Sequence, residues 1–198
     1  FCWYRFSDGT TGGGYPNYPW VASGPDVNHT PGGSKGLRWF NPSNGDNSRG
    51  SYRCIDLPPM DSTIDINTTR LTFWARAQSP TCSPKVIVGM MSVPGDITTF
   101  DPVDTVEVSG TRWRRYEALM TDYTGNGTYV AIRANNSPDA WDMYLDDVVL
   151  DYIPTCSHLN SITFDPTIRQ GGSYLALTWD STGAASYEVQ YGTENFEL

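Results

Sequence analysis

Two adjacent carboxylates, Asp146 and Asp147, interrupt the run Met143-Tyr144-Leu145-Asp146-Asp147-Val148-Val149-Leu150. The run reads as a β-strand, in which neighbours face opposite sides, so one of the two carboxylates is expected to point toward the core. An ionised carboxylate does not stay there without a cation or several hydrogen-bond donors. A structural Ca2+ meets that need, because carboxylate and loop carbonyl oxygens are its ligands, at dissociation constants of about 0.1–1 mM in extracellular modules. The alternative is one carboxylate satisfied by backbone donors and a second in solvent.

Nucleophilic chemistry has one candidate motif. Gly32-Gly33-Ser34-Lys35-Gly36 matches Gly-x-Ser-x-Gly, but that motif exposes its serine between a buried strand and a helix. Here Pro31 precedes it and the strand-like Leu37-Arg38-Trp39-Phe40 follows, so a flexible turn is expected. The chain has 2 histidines, His29 and His158, which leaves few ways to assemble a Ser-His-Asp triad. Asp61, Asp65, Asp96, Asp101 and Asp104 could converge as paired acids for glycoside hydrolysis, yet nothing in their spacing asks for it. Solvated loop carboxylates are the expectation, and the chain is read as no enzyme.

Seven Trp and 12 Tyr raise a different chemistry, the stacking of aromatic faces on sugar rings. Trp74 and Trp113 fall within strand patterns and are expected in the core. Tyr15, Tyr18 and Trp20 lie in the Gly- and Pro-rich stretch Gly14-Tyr15-Pro16-Asn17-Tyr18-Pro19-Trp20, and Trp141 lies in a turn. These four are the expected ligand-binding residues; packing within their loops is the competing role. Asn28, Asn67, Asn126 and Asn135 match the glycosylation sequon, at the frequency chance gives a chain rich in Asn and Thr.

The elements that position these residues are strands. Period-two alternation recurs in Leu71–Arg76, Lys85–Met90, Thr105–Val108, Arg114–Leu119, Tyr129–Arg133 and Met143–Leu150, with turn residues between. That cadence is an antiparallel sandwich, and no segment shows a helical apolar stripe. Residues 7–47 are expected to form long ordered loops over one end, with one clear strand near Leu37–Phe40. Arg112, Arg114 and Arg115 flank Trp113 as expected for a solvated edge strand. A formal net charge of -9 with 13 scattered basic residues argues against nucleic acid. No apolar run approaches membrane-spanning length, so no membrane insertion is expected. Cys2, Cys54, Cys82 and Cys156 lack metal-site spacing. Disulfides are expected, with small buried hydrophobes as the alternative, and Cys82 is expected to be the most exposed.

Taken in order, Leu71–Arg76, Val88–Asp96 with Thr99–Val103, Trp113–Tyr116, Tyr123–Arg133 and Tyr144–Val149 resemble the cleaved-adhesin or choice-of-anchor jelly rolls of bacterial surface proteins, related in fold to MAM domains. The resemblance covers most of residues 1–153. It implies a calcium site where the Asp146–Asp147 strand meets the first loops, with Asp26 and Thr30 of Asp26-Val27-Asn28-His29-Thr30 matching an Asp-His-Thr segment, two residues interposed. The opening strand with its Phe-Glu pair is expected before Phe1, so the copy looks truncated at its front. Beyond a linker at 154–160, residues 161–198 resemble the first strands of a fibronectin type III domain, with Trp179, Tyr187 and Tyr191 as its core aromatics.

The fold class expected is therefore all-β: an antiparallel jelly-roll sandwich plus a partial fibronectin type III-like sandwich. The function implied is a non-catalytic extracellular adhesion or carbohydrate-binding module of a larger secreted or cell-surface protein. Its partners would be a glycan or a host or extracellular protein, and other domains of the same precursor. The competing class is a structural spacer that positions a peptidase or glycoside hydrolase domain elsewhere in the precursor.

Overall fold

The computed structural model describes residues 3–8, 18–24, 26–39, 52–135 and 142–154, and the backbone of 162–169 and 172–179. The chain divides into two compact units, Phe1–Ile153 and Pro154–Leu198.

The first unit is all-β. Its strands are β1 (Tyr4–Ser7), β2 (Trp20–Ser23), β3 (Lys35–Trp39), β4 (Tyr52–Pro59), β5 (Thr69–Ala77), β6 (Lys85–Met91), β7 (Asp101–Glu107), β8 (Arg114–Leu119), β9 (Tyr129–Asn135) and β10 (Met143–Tyr152). They form two five-stranded antiparallel sheets, in the order β1-β4-β9-β6-β7 and β2-β3-β10-β5-β8. The described helix amounts to single 3-10 turns at Ile66–Thr68 and Ile97–Thr99.

Alternation along each strand builds the core between the sheets. In β5, Leu71, Phe73, Ala75 and Ala77 are fully buried. Ile55, Val86, Val88, Met90, Val130, Ile132 and Leu145 join the same apolar layer. Each large side chain of this kind contributes roughly 1.5–3 kcal/mol by leaving water. The intervening residues point away from the core, which corrects the expectation for Trp74: it lies on the outer face of its sheet, between the inward Phe73 and Ala75. Trp113 is likewise partly exposed and lies outside the core cluster.

Several elements differ from the sequence reading. β1, β2 and β4 lack a clear period-two signature because their outward positions are also aromatic or apolar. Residues 26–34 fold across the outer face of the second sheet instead of capping one end, with His29 stacked on the Trp74 ring at 3.7 Å. β8 does form a sheet edge, with Arg112, Arg114 and Arg115 exposed. Cys82 is buried at 3%, not exposed, and both it and Cys54 are free thiols. Each fills space as a small hydrophobe; Cys2 and Cys156 lie outside the described residues.

In the second unit β11 (Ile162–Arg169) and β12 (Gly172–Trp179) pair antiparallel, from Ile162 opposite Trp179 to Arg169 opposite Gly172. Tyr187 and Tyr191 lie outside the described residues.

Candidate functional site

A β-bulge decides the geometry around the paired carboxylates. Asp146 is opposite Trp74 and Val149 opposite Thr72, so Asp147 and Val148 together face the single Phe73 of β5. Asp147 takes up the extra residue at φ 48, a left-handed conformation that Asp tolerates better than most side chains. The bulge breaks the alternation on which the sequence argument relied. Neither carboxylate enters the core; both turn to the loop between β2 and β3.

That loop satisfies them. Asp146 Oδ2 accepts the His29 backbone N–H at 2.8 Å and that of Thr30 at 3.4 Å, and its Oδ1 accepts the Asp147 N–H at 3.0 Å. Asp147 Oδ2 lies 2.7 Å from His29 Nδ1, and Oδ1 accepts the Thr30 hydroxyl at 2.5 Å. Partial burial pushes the Asp147 carboxyl up, but the hydrogen bonds from His29 and Thr30 outweigh it and hold the group below the usual carboxylate range. Asp26 is exposed, and its backbone carbonyl accepts Arg76 Nε at 3.0 Å. Among the described residues no three Asp, Glu, His or Cys side chains are grouped to hold a metal. Both carboxylates are met by hydrogen bonds from the loop, as the alternative reading of the pair expected.

The Gly-x-Ser-x-Gly run lies at the end of the same loop and the start of β3. His29 is held between Asp147 and Trp74, and Ser34 runs directly into β3 rather than into a helix.

Of the four aromatic residues singled out for binding, the two described ones, Tyr18 and Trp20, lie against different partners. Tyr18 is 36% exposed beside Arg5 of the first sheet, whose Cζ is 5.1 Å from the Tyr18 ring centre. Trp20 belongs to the outer face of the second sheet, 5.2 Å from Arg38 Cζ. Tyr15 and Trp141 lie outside the described residues. Trp20 opens a ladder set by strand register, Trp20 opposite Arg38, Arg38 opposite Tyr144 and Tyr144 opposite Arg76. Arg76 Cζ is 4.7 Å from the Tyr144 ring and 5.7 Å from that of Trp113. Interleaved guanidinium and aromatic planes stiffen this face.

A second aromatic group, on the outer face of the first sheet, escaped the sequence reading. Tyr4 and Phe6 of β1 lie 6.0 Å apart between ring centres, and Phe6 is 6.1 Å from Tyr52 of β4. Arg133 of β9 lies 5.6 Å from the Tyr52 ring and 5.4 Å from that of Phe100. Tyr4 is 55% exposed, and Phe6, Tyr52 and Phe100 are each partly so. Phe100 arrives from the loop 92–100, which folds back over this sheet and buries Cys54, Met91 and Ala131 beneath Ile97 and Phe100. The alternation Tyr4-Arg5-Phe6 was the available signal, and it became legible only once β1 was known to pair with β4.

A buried carboxylate anchors that loop. Asp56 is 1% exposed, and its Oδ2 accepts the Gly95 N–H at 2.8 Å. Gly95 has φ 79, and a Cβ there would press into the Tyr4 ring. Burial raises the Asp56 carboxyl above its ordinary value, with the Gly95 and Cys54 hydrogen bonds opposing the rise. An acid with a raised folded pKa binds its proton more tightly folded than unfolded, so the stability it permits is greatest at low pH and is lost as pH climbs through the folded pKa. Asp56→Asn, which keeps an acceptor for Gly95, is therefore expected to melt above wild type at pH 7. The gap should close as the buffer approaches the unfolded value near ~3.9. Melts at both pH values read this directly, and a gap that widens toward acid contradicts it.

No protein-family model matches the chain, and no curated protein matches it. Among solved structures, the K1 cleaved adhesin domain of Lys-gingipain from Porphyromonas gingivalis W83 aligns with a TM-score of 0.55 at 19% identity, over 77% of this chain and 91% of that one. The K2 cleaved adhesin domain of Lys-gingipain aligns at 0.54 and 16%, over 74% and 87%. A CBM61 carbohydrate-binding module in complex with β-1,4-galactotriose aligns at 0.44 and 12%, over 76% and 88%. The first unit is thus a jelly-roll sandwich with the fold of the cleaved adhesin domains.

Proposed function

We propose that this chain is a non-catalytic extracellular adhesion or carbohydrate-binding module of a larger secreted or surface protein, with its glycan platform on the outer face of the first sheet. One observation carries the reading: Tyr4, Phe6 and Tyr52, all partly exposed, form a row of rings that Arg133 continues to Phe100. Aromatic faces bury the apolar faces of pyranose rings at low entropic cost, and flanking polar side chains meet the hydroxyls. The rings support the reading; the adhesin neighbours support the jelly-roll fold. The second unit is read as the opening strands of a fibronectin type III domain, with the β11–β12 hairpin in support.

The competing spacer reading draws on the separation of Tyr18 and Trp20 onto different partners. A glycan and extracellular-protein binding screen decides between the two, with wild type beside Tyr52→Ala and Phe100→Ala. Each substitution is expected to weaken glycan binding about two- to tenfold, given ~0.5–1.5 kcal/mol per stacked ring. A screen with no ligand leaves the spacer. The same proteins melted in Ca2+ and in EDTA test the proposed structural calcium at Asp26, Thr30, Asp146 and Asp147. A higher melting point in Ca2+ supports it, and coincident melts remove it.

A further inference from the structure

Among the described residues, the apolar layer between the sheets is open at one side. Between the edge strands β1 and β2 lies a cleft of about 480 Å³, within the range of small-molecule sites. Its floor is core, formed by the buried Ile55 and Leu145, and Trp3, Leu37 and Val148 extend it as partly buried walls. Val21, 56% exposed, stands at the mouth.

Two cations occupy positions where the strand pattern calls for apolar residues. Arg5 is opposite the inward-facing Ile55 and shares a strand face with Trp3. Lys35 shares a face with Trp39 of the core cluster and with Leu37, which packs against it. Both are exposed and both line the cleft. Arg5 spends one donor on the Pro19 carbonyl at 3.2 Å and lies against Tyr18, which leaves further donors of its fork. Asp146 and Asp147, also at the rim, have their oxygens engaged by the β2–β3 loop. A single inward charge on an edge strand guards against strand pairing. Two of like sign over one unfilled apolar cleft do more, and such breaks of the binary pattern are where functional sites are found.

We infer that this cleft is a second binding site, distinct from the glycan platform, for an anionic amphiphile: an aliphatic or aromatic body seated on Ile55, Leu145 and Trp3, with a carboxylate or phosphate head held by Arg5 and Lys35. The glycan reading neither requires it nor depends on it.

The test is a titration with decanoate and with decyl phosphate, followed by calorimetry, with decyltrimethylammonium as the cationic control. Saturable binding of a decyl anion without binding of the cation is the expected result, and the stronger of the two anions identifies the head group. Arg5→Gln and Lys35→Gln are each expected to weaken that binding about tenfold, the factor for one charge-assisted hydrogen bond. Lys35→Gln should leave the melting point unchanged, Arg5→Gln should lower it by a few degrees at most through loss of the Pro19 contact, and both should leave glycan binding unchanged. Leu37→Trp, which fills the cleft, should abolish binding of the anions. The inference is overturned if neither anion saturates, if the cation binds equally, or if the two glutamine variants bind as wild type does.

Discussion

Gly36→Ala is expected to destabilise the jelly roll by about 3 kcal/mol, which for a unit of this size lowers the melting temperature by roughly 6–12 °C. Gly36 is buried in β3 where the β2–β3 loop crosses it. A Cβ there would lie 3.0 Å from the Val27 carbonyl carbon and closer still to its oxygen, with the Leu145 carbonyl oxygen 3.4 Å away on the other side. Backbone on both sides leaves no flexible group to yield. The neighbouring Lys35→Gln, at an exposed position, serves as the control and should melt within ~0.5 kcal/mol of wild type. An alanine variant that melts with the control would mean that the loop does not pack against β3 as described.

Asp146→Ala is expected to release the same loop from its other side. Three backbone N–H groups, those of His29, Thr30 and Asp147, lose their acceptor at once. At ~1 kcal/mol each, the cost is about 3 kcal/mol in a partly buried setting. Asp146→Asn retains one carbonyl acceptor and should lose about half as much. Amide hydrogen exchange separates loop release from general destabilisation: the His29 and Thr30 amides should lose protection in the alanine variant while those of the β5 core strand keep theirs. Equal loss throughout would mean that Asp146 serves the whole sandwich rather than the loop.

What the sequence showed and what it hid divide along physical lines. Strands β5, β8 and β10 were legible because their apolar and polar residues alternate, and β6 and β9 because they are runs of β-branched and apolar residues between turns. β1, β2 and β4 were missed because outward Tyr4, Phe6, Trp20 and Tyr52 blur that contrast. Aromatic residues look alike in sequence whether they fill a core or pave an outer face, which is why Trp74 was misplaced. Asp146 and Asp147 stood out in the sequence as a pair in need of partners. The identity of those partners was hidden, because a bulge carries no signature of its own and it alone turns both carboxylates toward His29 and Thr30. The platform around Arg133 is assembled from four separate segments, and no local pattern brings Tyr4, Tyr52, Phe100 and Arg133 together. The two cations of the cleft were invisible for a related reason: a basic residue in an alternating strand reads as outward until the register is known.

Cys54 and Cys82, the free thiols among the described residues, give the molecule its own reporters of motion. Cys54 lies beneath the loop 92–100 on the outer face of the first sheet, and Cys82 lies buried in the connection between β5 and β6. Burial, followed by the adjacent Asp56 charge, pushes the Cys54 thiol far up its scale, so an alkylating reagent meets a reactive thiolate there only after the loop lifts. Labelling at Cys54 then times the opening of the platform, while labelling at Cys82 times an unrelated corner of the same sandwich. A ligand that seats on the rings around Arg133 will slow the first clock and leave the second running.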